Sequence, residues 1–339
     1  MLRYVLPPSS LYKDRVHPLI DYFTGRFIDR TQKSDLGFAY HIKDPLPTSM
    51  PANPGDFETC MEQRALDLAK EQVRIGKPIA LLWSGGWDST SIAVALLKAN
   101  INFKCIHTAS SKMENPNFYQ DVLINNPNVT MEYIDHPLRW LHFDGPDNIV
   151  VTGECGAQMM GTISFRKILV DMNKSFHNIG EGVDDDTFTP FMMNPEPLYK
   201  WPDHYKVPVK HVLDRFPGQL KTNYDAMWWV TFVWKWQVVQ YRMELFSGKI
   251  QPHMYHYFLC PLFEAWTMNN TAETKCPDYK WENYKMPMKD YIFKYQNNED
   301  VYVLQKYASM QLAQPEIRYG VYQNRYIYLD ENDNFKLGY

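Results

Sequence analysis

The chain has 339 residues, of which 45% are hydrophobic and 22% charged, and its formal net charge is -4. This length allows two domains, or one large α/β domain with an appendage, and the composition is that of a folded globular protein. The slightly acidic balance argues against nucleic acid as a partner, because proteins that bind it usually carry a basic surface.

Cysteine usage and hydropathy bear on the compartment. The five cysteines form no CxxC pair and no zinc-type spacing, which is typical of reduced thiols. No apolar stretch has the length of a membrane span, and the N-terminus has no secretory signature. The expected location is cytoplasmic, with no membrane partner.

The first elements of the chain can be predicted from turn residues and caps. Residues 1–56 carry many prolines and turn residues and are expected to form an irregular N-terminal arm or cap. A helix follows, for which Thr59 and Glu62 form a possible capping box. Gly76 is placed to end that helix as its C′ glycine.

Four strand candidates come next, at residues 79–83, 103–108, 129–134 and 148–152. The first of them is continuously apolar, which is typical of a strand buried on both faces of a parallel sheet. Helix-length intervals separate most of the four candidates, which is the βαβ pattern. Residues 57–165 are therefore expected to form an α/β nucleotide-binding domain with a doubly wound, mainly parallel sheet.

The pattern changes beyond residue 165. Residues 223–247 contain Trp228, Trp229, Trp234 and Trp236 and predict one or two long helices, apolar on most sides. Such helices form a packed core more often than a stacking platform for a substrate. Residues 166–339 are expected to form a mainly helical second lobe that completes the active site.

The most informative segment lies between the first of these strands and the next helix. It consists of Ser84, Gly85, Gly86, Trp87, Asp88, Ser89 and Thr90. The two glycines allow positive φ and close approach of a phosphate to the backbone. The first amides of the helix lack intrahelical acceptors, and the helix dipole favours an anion there.

The polar side chains of this segment fit the same ligand. Ser84, Ser89 and Thr90 offer hydroxyl groups, and the Asp88 carboxylate can reach a magnesium ion that shares phosphate oxygens. The lysine of a Walker A loop is missing, which disfavours transfer of a γ-phosphoryl group. A glycine turn capped by Asp or Ser, with no ligand, is the alternative interpretation.

Residues 77–90 resemble the PP-loop of the N-type ATP pyrophosphatases, a superfamily that includes the asparagine, GMP, NAD and argininosuccinate synthetases. The strand leading into the loop is most similar to that in the synthetase domain of asparagine synthetase. Residues 151–161, 261–264 and 289–294 resemble three later segments of that domain, and order and spacing agree from about residue 57 to 310.

The resemblance implies a fold like that of the adenine nucleotide alpha hydrolases, and it implies roles for individual residues. The residues implied to bind ATP or its pyrophosphate are Ser84, Gly85, Gly86, Asp88, Ser89, Thr90, Thr152 and Gly153. It also implies that Asp88 binds magnesium, that Glu154 acts near the adenylate or its nucleophile, and that Lys289 neutralises charge growing on the α-phosphate.

The sequence departs from the family at two places. Ala157 and Gln158 stand where the family has its Asp-Glu pair, including the second magnesium-binding aspartate, so a second metal site is not expected. Leu2 occupies the place of the nucleophilic cysteine of the glutaminase domain, so a glutaminase domain is not expected.

The predicted function is that of an ATP-dependent ligase that forms AMP and pyrophosphate, with ATP and Mg²⁺ as cofactors. It would adenylate a small or amino-acid-like carboxylate and form an amide with ammonia or an amine. One alternative is a PP-loop enzyme that adenylates a nucleobase or another carbonyl for nucleoside modification. Another is a degenerate, non-catalytic nucleotide-binding protein.

Overall fold

The computed structural model describes residues 3–12, 26–32, 35–161, 210–279, 283–304 and 324–339. Its strands are β1 (Arg3–Leu6), β2 (Ile79–Leu82), β3 (Phe103–His107), β4 (Val129–Tyr133), β5 (Ile149–Thr152), β6 (Met254–His256), β7 (Tyr326–Leu329) and β8 (Phe335–Gly338). Its α-helices are α1 (Phe57–Ile75), α2 (Trp87–Lys98), α3 (Ala109–Glu114), α4 (Pro137–Phe143), α5 (Gly156–Met160), α6 (Asn223–Trp234), α7 (Trp236–Gln240), α8 (Arg242–Ser247), α9 (Pro261–Asn269), α10 (Ala272–Lys275) and α11 (Met286–Gln296). Shorter helical turns lie at Ser9–Tyr12, Phe118–Leu123, Gly145–Asp147, Pro277–Tyr279 and Glu299–Val303.

The main sheet has five parallel strands in the order β4-β3-β2-β5-β6. Its central strand β2 is buried along its whole length, with Ile79 opposite Phe103 on one side and Ile149 on the other. The four strand candidates identified in the sequence form the four strands β2 to β5. The prediction of an α/β fold with a parallel sheet is confirmed.

Both faces of this sheet are covered. Ile79 and Leu81 of β2 belong to the larger hydrophobic core, whereas Ala80 and Leu82 belong to a smaller core that includes Trp140. Because successive side chains of a strand point to opposite faces, the two cores lie on opposite sides of the sheet. Helices on both faces of a parallel sheet are compatible with a doubly wound architecture.

The strand order reverses beside β2. From β2 the chain proceeds outward through β3 to β4, and it then returns to the opposite side of β2 to form β5, with β6 beyond it. The loops after β2 and β5 therefore leave the same edge of the sheet in opposite directions. In open α/β sheets, such a switch point is where a crevice for ligands forms.

The start of α1 differs from the sequence-based expectation. The N-cap is Asp56, whose carboxylate accepts the Thr59 amide at 2.7 Å, and not Thr59 itself. An aspartate at this position satisfies a first-turn amide as well as a threonine would. The end of α1 is as predicted, since Gly76 adopts a left-handed conformation with φ of +71°.

The tryptophan-rich segment forms three consecutive short helices, α6 to α8, and not one or two long ones. Their junctions are Lys235 and Tyr241, neither of which stops a helix by its residue type. Trp228, Trp229 and Trp234 are at most 2% exposed. The expectation that these rings form a packed core is confirmed.

Two further findings concern the parts outside the α/β segment 57–165. The fifth strand of the main sheet, β6, comes from the segment that was expected to be mainly helical. A separate antiparallel sheet has the order β1-β7-β8, so a strand from the predicted N-terminal arm pairs with one near the other end of the chain. The boundaries at residues 56 and 165 stay a prediction. Among the described residues, no helix is both long and apolar enough to cross a membrane.

Candidate functional site

The glycine-rich loop follows β2 and starts α2 at the switch point of the sheet. Gly86 is the N-cap of α2, with extended backbone angles, and no described side chain caps the helix. The amides of the first turn have no intrahelical acceptors, and the helix dipole gives this end partial positive charge. The loop thus presents a backbone surface suited to an anion.

The conformation of the loop requires glycine. Gly85 has φ of +87°, and a Cβ there would lie 2.4 Å from the Ser111 carbonyl oxygen of α3. A Cβ on Gly86 would lie 2.8 Å from Oε1 of Glu114, also in α3. The loop backbone is therefore pressed against α3 at both glycines, and at Gly85 it also has a conformation that L side chains avoid.

The hydroxyl groups of the loop hold its shape. The Ser84 amide donates to Oγ of Ser89 at 3.0 Å, and the two serine hydroxyls lie 3.0 Å apart. Thr90 is fully buried, and its hydroxyl donates to the Gly85 carbonyl at 3.2 Å and accepts from Nε1 of Trp83. These bonds fix the backbone that the anion would meet.

Asp88, in the first turn of α2, forms an ion pair with Lys285. Nζ of Lys285 lies 2.6 Å from Oδ1 and 2.5 Å from Oδ2 of Asp88. The Lys285 side chain is 3% exposed and that of Asp88 is 25% exposed. Lys285 is the N-cap of α11 and has φ of +62°, which is uncommon for a residue with a side chain.

The loop after β5 packs directly on Asp88. A Cβ on Gly153 would lie 2.9 Å from Cβ of Asp88, and one on Gly156 would lie 2.1 Å from its Oδ1. The absence of side chains at these glycines lets the second loop approach the first. The structure thus brings together two segments that the sequence analysis assigned to one site.

Lys289 lies one turn after Lys285 on α11 and is completely buried. Its Nζ is 4.3 Å from the centre of the Trp87 ring and donates to the Tyr302 carbonyl at 3.3 Å. Trp87 is the first residue of α2, and its indole N–H donates to the Val301 carbonyl. The two lysines therefore lie beside consecutive residues at the start of α2.

Glu154 follows β5 and pairs with Arg242, the first residue of α8. Nη2 of Arg242 donates to Oε2 of Glu154 at 2.5 Å, and the side chains are 37% and 17% exposed. Burial opposes ionisation of Glu154, but Arg242 and, more weakly, His256 and Lys235 outweigh it, so the pKa of Glu154 lies below its ordinary value. Glu154 is thus a carboxylate at neutral pH.

A hydrogen-bonded chain connects Glu154 to the edge strand. The Glu154 amide donates to Oγ1 of Thr152 at 3.2 Å, and this oxygen lies 2.6 Å from Nδ1 of His256. Nε2 of His256 is bonded to the Gln240 carbonyl, so it carries the ring proton and Nδ1 accepts from the threonine. Burial lowers the pKa of His256, which keeps the ring neutral.

A second acid, Glu244, lies in the same helix as Arg242. It is 5% exposed, and its Oε2 has no hydrogen-bond partner among the described residues. Burial, assisted by the negative charge of Glu154, raises the pKa of Glu244 to about 8. Burial also lowers the pKa of Lys235 to about 8, with the nearby Arg242 charge acting in the same direction.

The donor set around Asp88 does not fit a resident divalent cation. Both oxygens of Asp88 are bound by Lys285, and Ala157 supplies no second carboxylate. Across the described residues, no three His, Cys, Asp or Glu side chains are grouped as a metal site. Oxygen-rich coordination, which Mg²⁺ requires, is therefore not provided by these residues alone.

The sequence analysis did not identify Lys285 or Arg242. Lys285 lies 197 residues from Asp88, and Arg242 lies 88 residues from Glu154. One signal for Lys285 was available, because it precedes Lys289 by four residues and helical residues at that spacing share a face. Nothing in the local sequence distinguishes Arg242.

Comparisons of the chain with protein-family models, with curated proteins and with solved structures found no match.

Proposed function

We propose that this protein is an ATP-dependent ligase of the PP-loop type that forms AMP and pyrophosphate and resembles the synthetase domain of asparagine synthetase. One observation carries the proposal: a loop with a positive-φ glycine and an uncapped helix start lies at the switch point of a parallel sheet. Ligands of such sheets bind at that point, and phosphates bind at such helix starts. The proposal includes a fold like that of the adenine nucleotide alpha hydrolases.

In this proposal the loop binds the pyrophosphate portion of ATP. Amides of the first turn of α2 would donate to its oxygens, with Ser84, Ser89 and Thr90 shaping the loop. Lys285 and Lys289 place two ammonium groups beside the same turn. Positive charge and preorganised donors at the leaving group are the usual large contribution to such catalysis.

The acyl substrate would bind beside Glu154. The Arg242 side chain is 37% exposed and pairs with Glu154 through one of its terminal nitrogens. A partly exposed guanidinium can donate a charge-assisted hydrogen bond to a second carboxylate, which suits an amino-acid-like acid. Adenylation of that carboxylate would release pyrophosphate, and ammonia or an amine would then displace AMP.

A second candidate is a nucleotide-binding protein without catalysis. The closed Asp88–Lys285 pair, together with Ala157 and Gln158 in place of acidic residues, favours it over an enzyme that needs two metal ions. Adenylation of a nucleobase or another carbonyl is a further PP-loop chemistry that we consider. No basic binding surface is indicated by the net charge of -4, so we rank it below amide formation.

Product analysis tests the proposal. The full chain is incubated with ATP, magnesium and pools of amino acids and other carboxylic acids, with hydroxylamine as a general nucleophile. Chromatography should show AMP, pyrophosphate and a hydroxamate. ADP and phosphate as the main products would refute it, and nucleotide binding without any turnover would favour the non-catalytic alternative.

A further inference from the structure

We infer that Asp88 is the counter-ion of Lys285 and not the ligand of a resident divalent cation, and that Lys285 supplies the positive charge that meets the polyphosphate of the nucleotide. The inference rests on the proposed function, because it concerns how the same loop binds pyrophosphate. It replaces the role that the sequence analysis assigned to Asp88.

The geometry of the Asp88–Lys285 ion pair leaves no position for a metal ion between the carboxylate oxygens. Nζ of Lys285 is within 2.6 Å of both carboxylate oxygens, so the ammonium occupies the position between them that a bidentate metal ion would take. The Lys285 side chain is 3% exposed. A buried ammonium without its anion is strongly unfavourable, and a dication on Asp88 would add repulsion to that loss.

The space around Asp88 is narrow on the side of the loop after β5. Gly153 and Gly156 approach its side chain so closely that a Cβ on either would overlap it. The position after Gly156 is Ala157, which has no oxygen ligand to offer. The Asp88 side chain is 25% exposed, and additional ligands for a cation would have to approach it from this solvent-exposed side.

The charges at the start of α2 also favour an anionic ligand. Lys285 lies beside the second residue of the helix and Lys289 beside the first, and the acidic side chains of Asp88 and Glu114 lie against the same loop. The uncapped helix start adds partial positive charge to these two lysines and two acids. The helix start therefore keeps a partial positive charge without a metal ion, which suits the anionic polyphosphate of a nucleotide.

Binding of pyrophosphate and of ATP, measured by calorimetry on the full chain, tests the inference. We expect wild-type protein to bind pyrophosphate in excess EDTA, and Lys285→Met to weaken that binding by about tenfold or more, as expected for one charge-assisted hydrogen bond. Lys285→Arg should retain most of it. The control is Lys294→Met, which changes an exposed lysine of the same helix that pairs with Glu58 and should bind like the wild type.

A second measurement examines the metal directly. Mn²⁺ is titrated into the wild type and into Asp88→Asn without nucleotide and followed by electron paramagnetic resonance. We expect the wild type to show no Mn²⁺ site that is missing in Asp88→Asn. Pyrophosphate binding that occurs only with divalent cations, together with a Mn²⁺ site lost in Asp88→Asn, would overturn the inference and leave the proposed function intact. If wild-type protein binds neither ligand with or without metal, the proposed function fails and the inference fails with it.

Discussion

Replacement of Gly85 by alanine tests whether the glycine loop has the described conformation. Gly85 has φ of +87°, and an added Cβ would lie 2.4 Å from a backbone oxygen of α3 and 2.9 Å from Cβ of Glu114. A left-handed conformation costs a residue with a side chain about 1–2 kcal/mol. Overlap with neighbours that cannot rotate away adds about 1–3 kcal/mol, so Gly85→Ala should lower the free energy of unfolding by about 2–5 kcal/mol.

The chain offers a matched control for this experiment. Gly76 ends α1 with φ of +71°, and no heavy atom lies within 4 Å of the position of its added Cβ. Gly76→Ala should therefore show the conformational cost alone, about 1–2 kcal/mol. Equilibrium unfolding in urea, followed by tryptophan fluorescence, gives both values.

Nucleotide binding separates the two variants further. Gly76→Ala should bind ATP like the wild type, because the end of α1 is not part of the loop. Gly85→Ala should lose most of its binding, because relief of the overlap moves the loop backbone. Equal losses of stability in the two variants, with unchanged ATP binding in Gly85→Ala, would refute the description of the loop.

Four further predictions concern the charged residues. The pKa of Glu244 is raised from 4.5 to about 8, so the buried side chain lowers the free energy of unfolding as pH rises through that interval. Each unit of pKa shift corresponds to about 1.36 kcal/mol. Glu244→Gln should therefore stabilise the protein by about 3–5 kcal/mol above pH 8 and hardly at all near pH 4. Unfolding curves at several pH values measure this difference. Glu154→Gln should retain ATP binding but impair the step after it. Arg242→Met should raise KM for the acid more than KM for ATP. Steady-state kinetics with the acid found by product analysis measures both effects. Lys289→Met, which keeps the buried volume, should lower kcat about a hundredfold while thermal melts stay within a few degrees, and a near-normal kcat would remove Lys289 from the site.

Much of the fold could be predicted from local sequence. The four strand candidates each form a parallel strand, and β2 and β5 are buried along their whole length, as a parallel sheet covered on both faces requires. The glycine at the end of α1 is required by its backbone angle. The cap of α1 was misplaced by three residues because Asp56 and Thr59 are both good caps. The strand β6 was missed because Met254–His256 is three residues long and has no periodicity to recognise.

The site could be predicted only where its residues are contiguous. The glycine loop and Glu154 each lie directly after a strand, so the parallel arrangement of the strands places them at one edge of the sheet. Lys285 and Arg242 reach those residues from distant parts of the chain, and their positions depend on how helices pack on the sheet. The inferred role of Asp88 as a counter-ion depends on such a partner, Lys285, which local patterns do not reveal.

The most direct test of the account is a crystal structure of the protein with α,β-methylene-ATP and magnesium, an analogue that cannot be cleaved between the α- and β-phosphates. We expect oxygens of the β- and γ-phosphates to lie about 3 Å from the amide nitrogens at the start of α2, with the α-phosphate towards Glu154. Lys285 should contact a phosphate oxygen while it remains paired with Asp88. A triphosphate bound away from residues 84–90 would contradict the central claim.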